Sequence, residues 1–211
     1  MDKQVLNSAI DMQFMTDQKD TLPGAHFQAQ FAALKNQISP HFLFNSLSVL
    51  SSLVRKDPDL SEQFIDHMAR VYRYLLEQKD DQLVSLSTEL EFARSYAFIQ
   101  EVRFARKFRV EFRCEESMTK RCLLPFTLQL LIENAIRHNR MSAAEPLTVV
   151  IQTRADGQLL VSNNVQIRSV PDRSIPQGLA SIRQRYEHYT GEEVLVTESD
   201  EEFLVSVSLI A

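Results

Sequence analysis

A histidine and an asparagine stand four residues apart in an apolar stretch near the start of the chain. Residues 37–47 read QISPHFLFNSL, so His41 and Asn45 would share one face of a helix, with Gln37 one turn earlier. A neutral imidazole is nucleophilic near pH 7 and can accept a phosphoryl group, and a neighbouring amide can orient the ring or a water. A polar residue tucked into a hydrophobic bundle gives the same pattern, and the spacing does not decide between the two.

A second polar cluster lies on the rim of an otherwise apolar segment, residues 123–138, LLPFTLQLLIENAIRH. At helical spacing, Glu133, Asn134 and Arg137 point away from the apolar stripe, and His138 follows Asn134 by one turn. An amide oxygen suits Mg²⁺, whose other ligands are typically waters and phosphate oxygens, and a carboxylate beside it could accept a proton. The alternative is a solvated helix face with one Glu133–Arg137 ion pair. The predicted core stripe consists of Leu128, Leu131, Ile132 and Ala135.

The elements that must position His41 are two helices. A helical pattern begins at residue 27, with Pro40 inside it as an expected kink, and a turn at residues 57–59 leads to a second helix over about 60–79. The first helix is apolar over most of its circumference, more than a lone hairpin can bury. Dimerisation into a four-helix bundle would cover it.

The rest of the chain changes from helical to mixed patterning. A third helix is predicted over 87–103, followed by a strand at 108–113 and a helix at 126–139. The strands predicted at 147–153 and 159–161 are joined at Asp156-Gly157, and a helix at 178–189 precedes strands at 194–197 and 203–209. This half is α+β, with a mixed or antiparallel sheet covered by helices on one face. The predicted organisation is a linker or frayed helix at 1–26, a helical hairpin at 27–84 and an α+β domain at 85–211.

Composition excludes several classes of site. The chain has 211 residues, a formal net charge of −5 and only four glycines, and it contains neither GxxxxGK[ST] nor GxGxxG, so Walker-type and Rossmann-type nucleotide sites are excluded. The acidic net charge argues against direct nucleic-acid binding.

No apolar run is long enough to span a membrane and no signal peptide is evident, so the chain is expected to be soluble. Two cysteines, Cys114 and Cys122, are expected to be reduced thiols.

Here the motifs resemble a known family. Residues 37–47 match the phosphoacceptor signature of the LytS-like sensor histidine kinases, close to Q-I-x-P-H-F-L-F-N-x-L. Residues 125–138 resemble the family's N box, and residues 86–90 (LSTEL) and 96–104 (YAFIQEVRF) its connecting helix. The resemblance covers roughly residues 30–211.

The resemblance implies a dimerisation and phosphotransfer hairpin followed by a GHKL (Bergerat-type) α/β sandwich that binds ATP without a Walker loop. By this resemblance Asn134 would hold Mg²⁺ on the ATP phosphates, and His41 would attack the γ-phosphate. The phosphoryl group would pass to an aspartate of a response regulator, typically one with a LytTR DNA-binding domain. The chain would act as a homodimer, as the cytoplasmic domain of an inner-membrane protein whose membrane helices lie upstream.

Two later boxes depart from the family pattern. Where the family has D-N-G, this chain has Asn163-Asn-Val165, and an asparagine can accept from the adenine amine without charge assistance. In the last box Gly178, Leu179 and Arg185 match, whereas Pro176, Ser181 and Tyr186 replace a glycine, an asparagine and a leucine.

Phe42 follows His41 at the position where many histidine kinases have an acid, so Glu133 is the candidate base. The alternative function is a non-catalytic signalling dimer with a degenerate nucleotide pocket. The remaining histidines, given no catalytic role, are His26, His67 and His188.

Overall fold

A computed structural model describes residues 40–78, 83–166 and 177–211. The chain divides into two compact units, Met1–Phe44 and Asn45–Ala211. The predicted linker at 1–26, the helix before Pro40, His26 and Gln37 lie outside the described residues.

Two helices stand on either side of the predicted turn. Helix α1 spans Pro40–Leu53 and helix α2 spans Pro58–Glu77. Asp57 caps α2, because its Oδ1 accepts a hydrogen bond from the Leu60 N–H at 3.0 Å. Pro58 at the start of α2 loses no hydrogen bond there, since the first N–H groups of a helix have no intrahelical partner.

Helix α3 is the central helix of the second unit. It spans Leu86–Phe104, is capped by Ser85, and packs against α2 and against the sheet strand that follows it. A two-residue strand on each side of it, β1 (Val84–Ser85) and β3 (Cys122–Leu123), forms a small antiparallel sheet. The sequence did not predict this pair, because two-residue strands carry no readable periodicity.

A five-stranded mixed sheet forms the layer beneath the helices. Its strands are β2 (Phe108–Arg113), β4 (Leu147–Thr153), β5 (Gln158–Asn164), β6 (Leu195–Glu198) and β7 (Glu202–Ser208), in the order β2-β4-β5-β7-β6. Only the β2–β4 pair is parallel among these strands. The β4–β5 hairpin turns at the predicted Asp156-Gly157, where Gly157 adopts a φ of +86°.

One face of this sheet packs against helices. Register places Val110, Val149 and Asn163 in one row and Phe112, Ile151 and Val161 in the next. Helix α4 (Thr127–His138) contacts β4, β5 and α3, and helix α5 (Gln177–Thr190) packs against α4. The predicted α+β class, with a sheet covered by helices, is confirmed.

Cys114 and Cys122 are both free and half-buried. Within the described ranges, no helix is both long enough and apolar enough to cross a membrane.

Candidate functional site

His41 lies in the first turn of the described helix α1, and its side chain is exposed. Asn45 follows one turn later on the same helix and is half-buried. The i, i+4 relation that the sequence predicts is therefore present on helix α1.

The second predicted cluster is carried by α4. The predicted core stripe is buried, with Leu128, Leu131, Ile132 and Ala135 each at most 3% exposed. Glu133, Asn134 and His138 are half-buried and Arg137 is exposed, so the polar rim is present as predicted.

Glu133 ties α4 to α3. Its Oε1 accepts hydrogen bonds from the Tyr96 hydroxyl at 2.8 Å and from Gln129 Nε2 at 3.2 Å, and Gln100 Nε2 donates to the same hydroxyl at 2.8 Å. Burial, and next the Glu133 carboxylate, raise the pKa of Tyr96, which keeps the phenol a donor. The ion pairs found in the described parts of the chain do not include Glu133 with Arg137.

Asn134 has the properties of a ligand residue. Its side-chain amide is half-buried on the rim of α4 and makes no hydrogen bond to the residues that the structure describes. A single amide oxygen fits Mg²⁺, which keeps several waters and binds phosphate oxygens. No cluster of three or more His, Cys, Asp or Glu within the described ranges could hold a metal ion.

The ends of α4 and β5 are joined just beyond these side chains. Asn139 Oδ1 accepts from the Gln166 N–H at 2.7 Å, and the Arg140 N–H donates to the Gln166 carbonyl at 2.7 Å. These bonds hold the end of α4, which carries His138, beside the chain that leaves β5. The amide group of Asn139 is buried, so this junction is shielded from water.

Asn163 lies on the helix-covered face of the sheet. It is 5% exposed, and register places it between Val149 and Phe203. Its Nδ2 donates to the Asn164 carbonyl at 2.8 Å, which fixes the amide orientation and makes Oδ1 the atom that could accept from an amine.

The last predicted box opens helix α5. Gly178 and Leu179 fall in its first turn, and Arg185 Nη2 donates to the Pro125 carbonyl at 3.0 Å, next to the start of α4. Tyr186, which stands where the family has leucine, is fully buried. This replacement therefore serves packing, while Pro176 lies outside the described residues.

Sequence reasoning assigned no role to two residues that the structure brings together, Tyr74 and Glu89. Glu89 is fully buried on α3, and the Tyr74 hydroxyl of α2 donates to its Oε2. The signal available in the sequence was a glutamate in the segment LSTEL at residues 86–90, which resembles the family's connecting helix.

Comparison with known structures finds histidine kinases. The cytoplasmic segment of histidine kinase QseC matches with a TM-score of 0.46 and 18% identity, covering 69% of this chain and 89% of that structure.

Comparison with known sequences also finds histidine kinases. Residues 29–108 match a family model described as histidine kinase. The chain is 36% identical over 134 residues to the sensor histidine kinase YpdA of Escherichia coli K12, an alignment covering 63% of this chain and 23% of YpdA. It is 28% identical over 152 residues to the sensor protein LytS of Bacillus subtilis 168, covering 71% of this chain and 25% of LytS.

These sequence matches show that the aligned part of the chain is similar to histidine kinases, and that its curated relatives include LytS-like sensor histidine kinases. The chain spans about a quarter of the length of the curated relatives it matches.

Proposed function

We propose that this chain is the cytoplasmic core of a two-component sensor histidine kinase that transfers the γ-phosphoryl group of ATP to His41. The observation that carries the proposal is the exposed imidazole of His41 in the first turn of α1, within an intact phosphoacceptor motif.

The chemistry requires a nucleophile and little covalent machinery. A ring nitrogen of His41 would form a bond to the γ-phosphorus while the bond to the bridging oxygen of ADP breaks, and the imidazole would lose its proton to a base or water. Asn45 would orient the ring or a water. Positioning and charge neutralisation would supply most of the rate enhancement.

The rim of α4 and the end of β5 would hold the nucleotide. Asn134 would be the Mg²⁺ ligand, and the metal would neutralise charge on the phosphates. Asn163 Oδ1 would accept from the adenine amine, with Gly178 and Leu179 at the start of α5 near the phosphates. Arg137 and His138 would complete the polar rim.

Glu133 stays our candidate for accepting a proton or ordering a water. Its Oε1 is fixed by Tyr96 and Gln129, so the carboxylate has a defined orientation in which to do so.

The partners follow from the same proposal. The phosphoryl group would pass to an aspartate of a response regulator, of the LytTR type. A second copy of the chain would complete a four-helix bundle with the hairpin at residues 27–84, leaving 85–211 as the ATP-binding domain. The whole protein would be membrane-attached through a region upstream of this cytoplasmic part.

A non-catalytic signalling dimer is the second candidate. The replacement of the family aspartate by Asn163 favours it, because the uncharged amide binds an amine less strongly than a carboxylate. A chain that forms a dimer but shows no ATP binding by calorimetry would support this second function over the first.

The deciding experiment is labelling with γ-³²P-ATP and Mg²⁺. We expect an acid-labile label on the wild-type chain, lost completely in His41→Ala and retained in His188→Ala, an exposed histidine of α5 that serves as the matched control. Folded wild-type protein that takes up no label, or a label that survives His41→Ala, would contradict the proposal.

A further inference from the structure

Glu89 binds the first turn of α4. Helix α4 begins after Phe126, which has a φ of +65° and supplies no side-chain cap. Instead Glu89, from α3, accepts the Leu128 N–H at Oε1 (2.9 Å) and the Phe126 N–H at Oε2 (3.2 Å). A carboxylate at a helix N-terminus satisfies N–H groups that have no intrahelical partner and interacts favourably with the helix dipole. The start of α4 is thus fixed by a side chain of another helix.

The same carboxylate is bound from α2. The Tyr74 hydroxyl donates to Glu89 Oε2, and the Tyr74 ring stacks on Phe92 with centroids 4.1 Å apart. The ring also meets the edge of Phe126 at 5.5 Å. Tyr74 is 8% exposed and Glu89 is fully buried, so water does not compete for these bonds.

The groups that surround the Glu89 carboxylate are hydrogen-bond donors. Three donors face it, namely the Tyr74 hydroxyl, the Leu128 N–H in the first turn of α4 and the Phe126 N–H just before that helix. The positive charge of Arg185 on α5 also favours the ionised carboxylate. Above its pKa of about 7 the ionised carboxylate accepts all three bonds, whereas the protonated group would turn an O–H toward a donor, so the exchange experiments below are made at pH 8.

We propose that Glu89 and Tyr74 are positioning residues that couple helix α2 to the first turn of α4, so that a displacement of α2 changes the placement of the helix carrying Asn134. In its functional consequence the inference rests on the proposed function, since it concerns the helix that would bind Mg²⁺ and ATP. A displacement of α2 that withdraws the hydroxyl would leave Glu89 with fewer donors and loosen its hold on Phe126 and Leu128.

The test compares Tyr74→Phe with Tyr72→Phe in the whole 211-residue chain. Tyr74→Phe keeps the stacked ring and removes only the hydroxyl, and Tyr72→Phe makes the same chemical change two residues earlier on α2. We expect amide hydrogen exchange of residues 126–130 to accelerate about tenfold in Tyr74→Phe, the effect of losing one hydrogen bond to a charged group. Tyr72→Phe should leave these amides unchanged. Equal exchange in the two variants would overturn the proposal.

A second variant, Glu89→Gln, tests the carboxylate itself. Glu89→Gln turns one acceptor oxygen into a donor that faces backbone N–H groups, and we expect it to accelerate the same amides at least as much as Tyr74→Phe. If Glu89→Gln does not fold, the conservative Tyr74→Phe comparison still decides.

The effect of nucleotide binding on helix α2 distinguishes a positioning role of Tyr74 from a purely structural one. Binding of Mg·ADP should slow amide exchange at residues 71–77 of α2 in the wild-type chain, and this effect should disappear in Tyr74→Phe. Nucleotide binding without any change in α2 of the wild-type chain would overturn the coupling. Absence of nucleotide binding would contradict the proposed function, while the exchange comparison at residues 126–130 would still decide the positioning role.

Discussion

At the residue scale, His41 and Glu89 have opposite surroundings. His41 is exposed on α1, whereas Glu89 is completely buried between α2, α3 and α4. An exposed imidazole keeps its nucleophilic nitrogen accessible. A buried carboxylate must be hydrogen-bonded on both oxygens, because desolvation of a charge is costly.

Glu89 should make stability depend on pH. Burial raises its pKa to about 7, although the bonds from Tyr74, Leu128 and Phe126 oppose this effect. Since the pKa in the unfolded chain is near 4.5, the folded state binds more protons between pH 4.5 and 7. The free energy of unfolding should therefore fall as the pH rises through this window, by on the order of 3 kcal/mol.

Urea unfolding of the wild-type chain and Glu89→Gln at pH 5 and pH 8 would measure this contribution. We expect the variant to lose most of the pH dependence. A small slope should remain, because burial also raises the pKa of Glu101. An unchanged slope in Glu89→Gln would show that another group is responsible.

Asn134→Ala should weaken Mg²⁺-dependent ATP binding without unfolding the protein. The amide lies on the half-buried rim of α4, and alanine is a better helix former than asparagine, so the free energy of unfolding should change by less than about 0.5 kcal/mol. Calorimetry with ATP should show at least about a tenfold loss of affinity in the presence of Mg²⁺. Titration without Mg²⁺ is the control, and an equal loss there would contradict a metal-binding role.

At the scale of the elements, turns and caps determine where helices and strands begin and end. Asp57 and Ser85 cap α2 and α3, both through a side-chain oxygen that accepts a helix N–H. Gly157 closes the β4–β5 hairpin, where its N–H donates to the Arg154 carbonyl and its carbonyl accepts from Leu209. Capping residues and turn glycines make their hydrogen bonds mostly with residues nearby in the sequence. Most helices and strands therefore begin and end close to the positions that the sequence predicts.

Gly157→Ala should destabilise the protein more than the same change at Gly191, which also has a positive φ. A Cβ at Gly157 would lie 2.7 Å from Arg121 Nη1, which donates to the Leu209 carbonyl, whereas a Cβ at Gly191 would meet nothing within 4 Å. Both changes incur the left-handed conformational penalty of roughly 1–2 kcal/mol. Because the guanidinium ends a flexible side chain, the clash mainly removes the Arg121–Leu209 hydrogen bond, a loss of roughly 0.5–1.5 kcal/mol. Thermal or urea unfolding should show this additional loss for Gly157→Ala, and equal losses in the two variants would contradict the argument.

At the scale of the whole molecule, the described chain leaves large apolar side chains exposed on its first two helices. Leu47 and Val54 of the α1 region are 47% and 55% exposed, and Ile65 and Leu76 of α2 are 50% and 56% exposed. Ile65 and Leu76 are eleven residues apart, close to three helical turns, so they share a face. Such a face is what the proposed second copy would cover.

Ile65→Glu should therefore convert the proposed dimer into a monomer, because a charge would be buried in the bundle interface. Analytical ultracentrifugation measures the change. Leu195→Glu is the matched control, since Leu195 is 56% exposed on the edge strand β6. A wild-type chain that is already monomeric, or a dimer that survives Ile65→Glu, would contradict this interface.

The sequence by itself determined most of the helices and strands, and it singled out the candidate site residues. Helical periodicity predicted the buried stripe of α4 and the rim that holds Asn134, and turn residues placed the β4–β5 hairpin at Gly157. These features depend on interactions within a few residues, which spacing and residue type record directly. The motif at residues 37–47 singles out His41 and Asn45 for the same reason, since all of its residues lie within eleven consecutive positions.

Only the tertiary structure decided which distant groups meet. It placed Asn163 on the helix-covered face of the sheet, paired Glu133 with Tyr96 rather than Arg137, and brought Tyr74 and the start of α4 together on Glu89. The physical reason is that a buried polar group must find a partner wherever packing places one, and packing joins residues far apart in the chain.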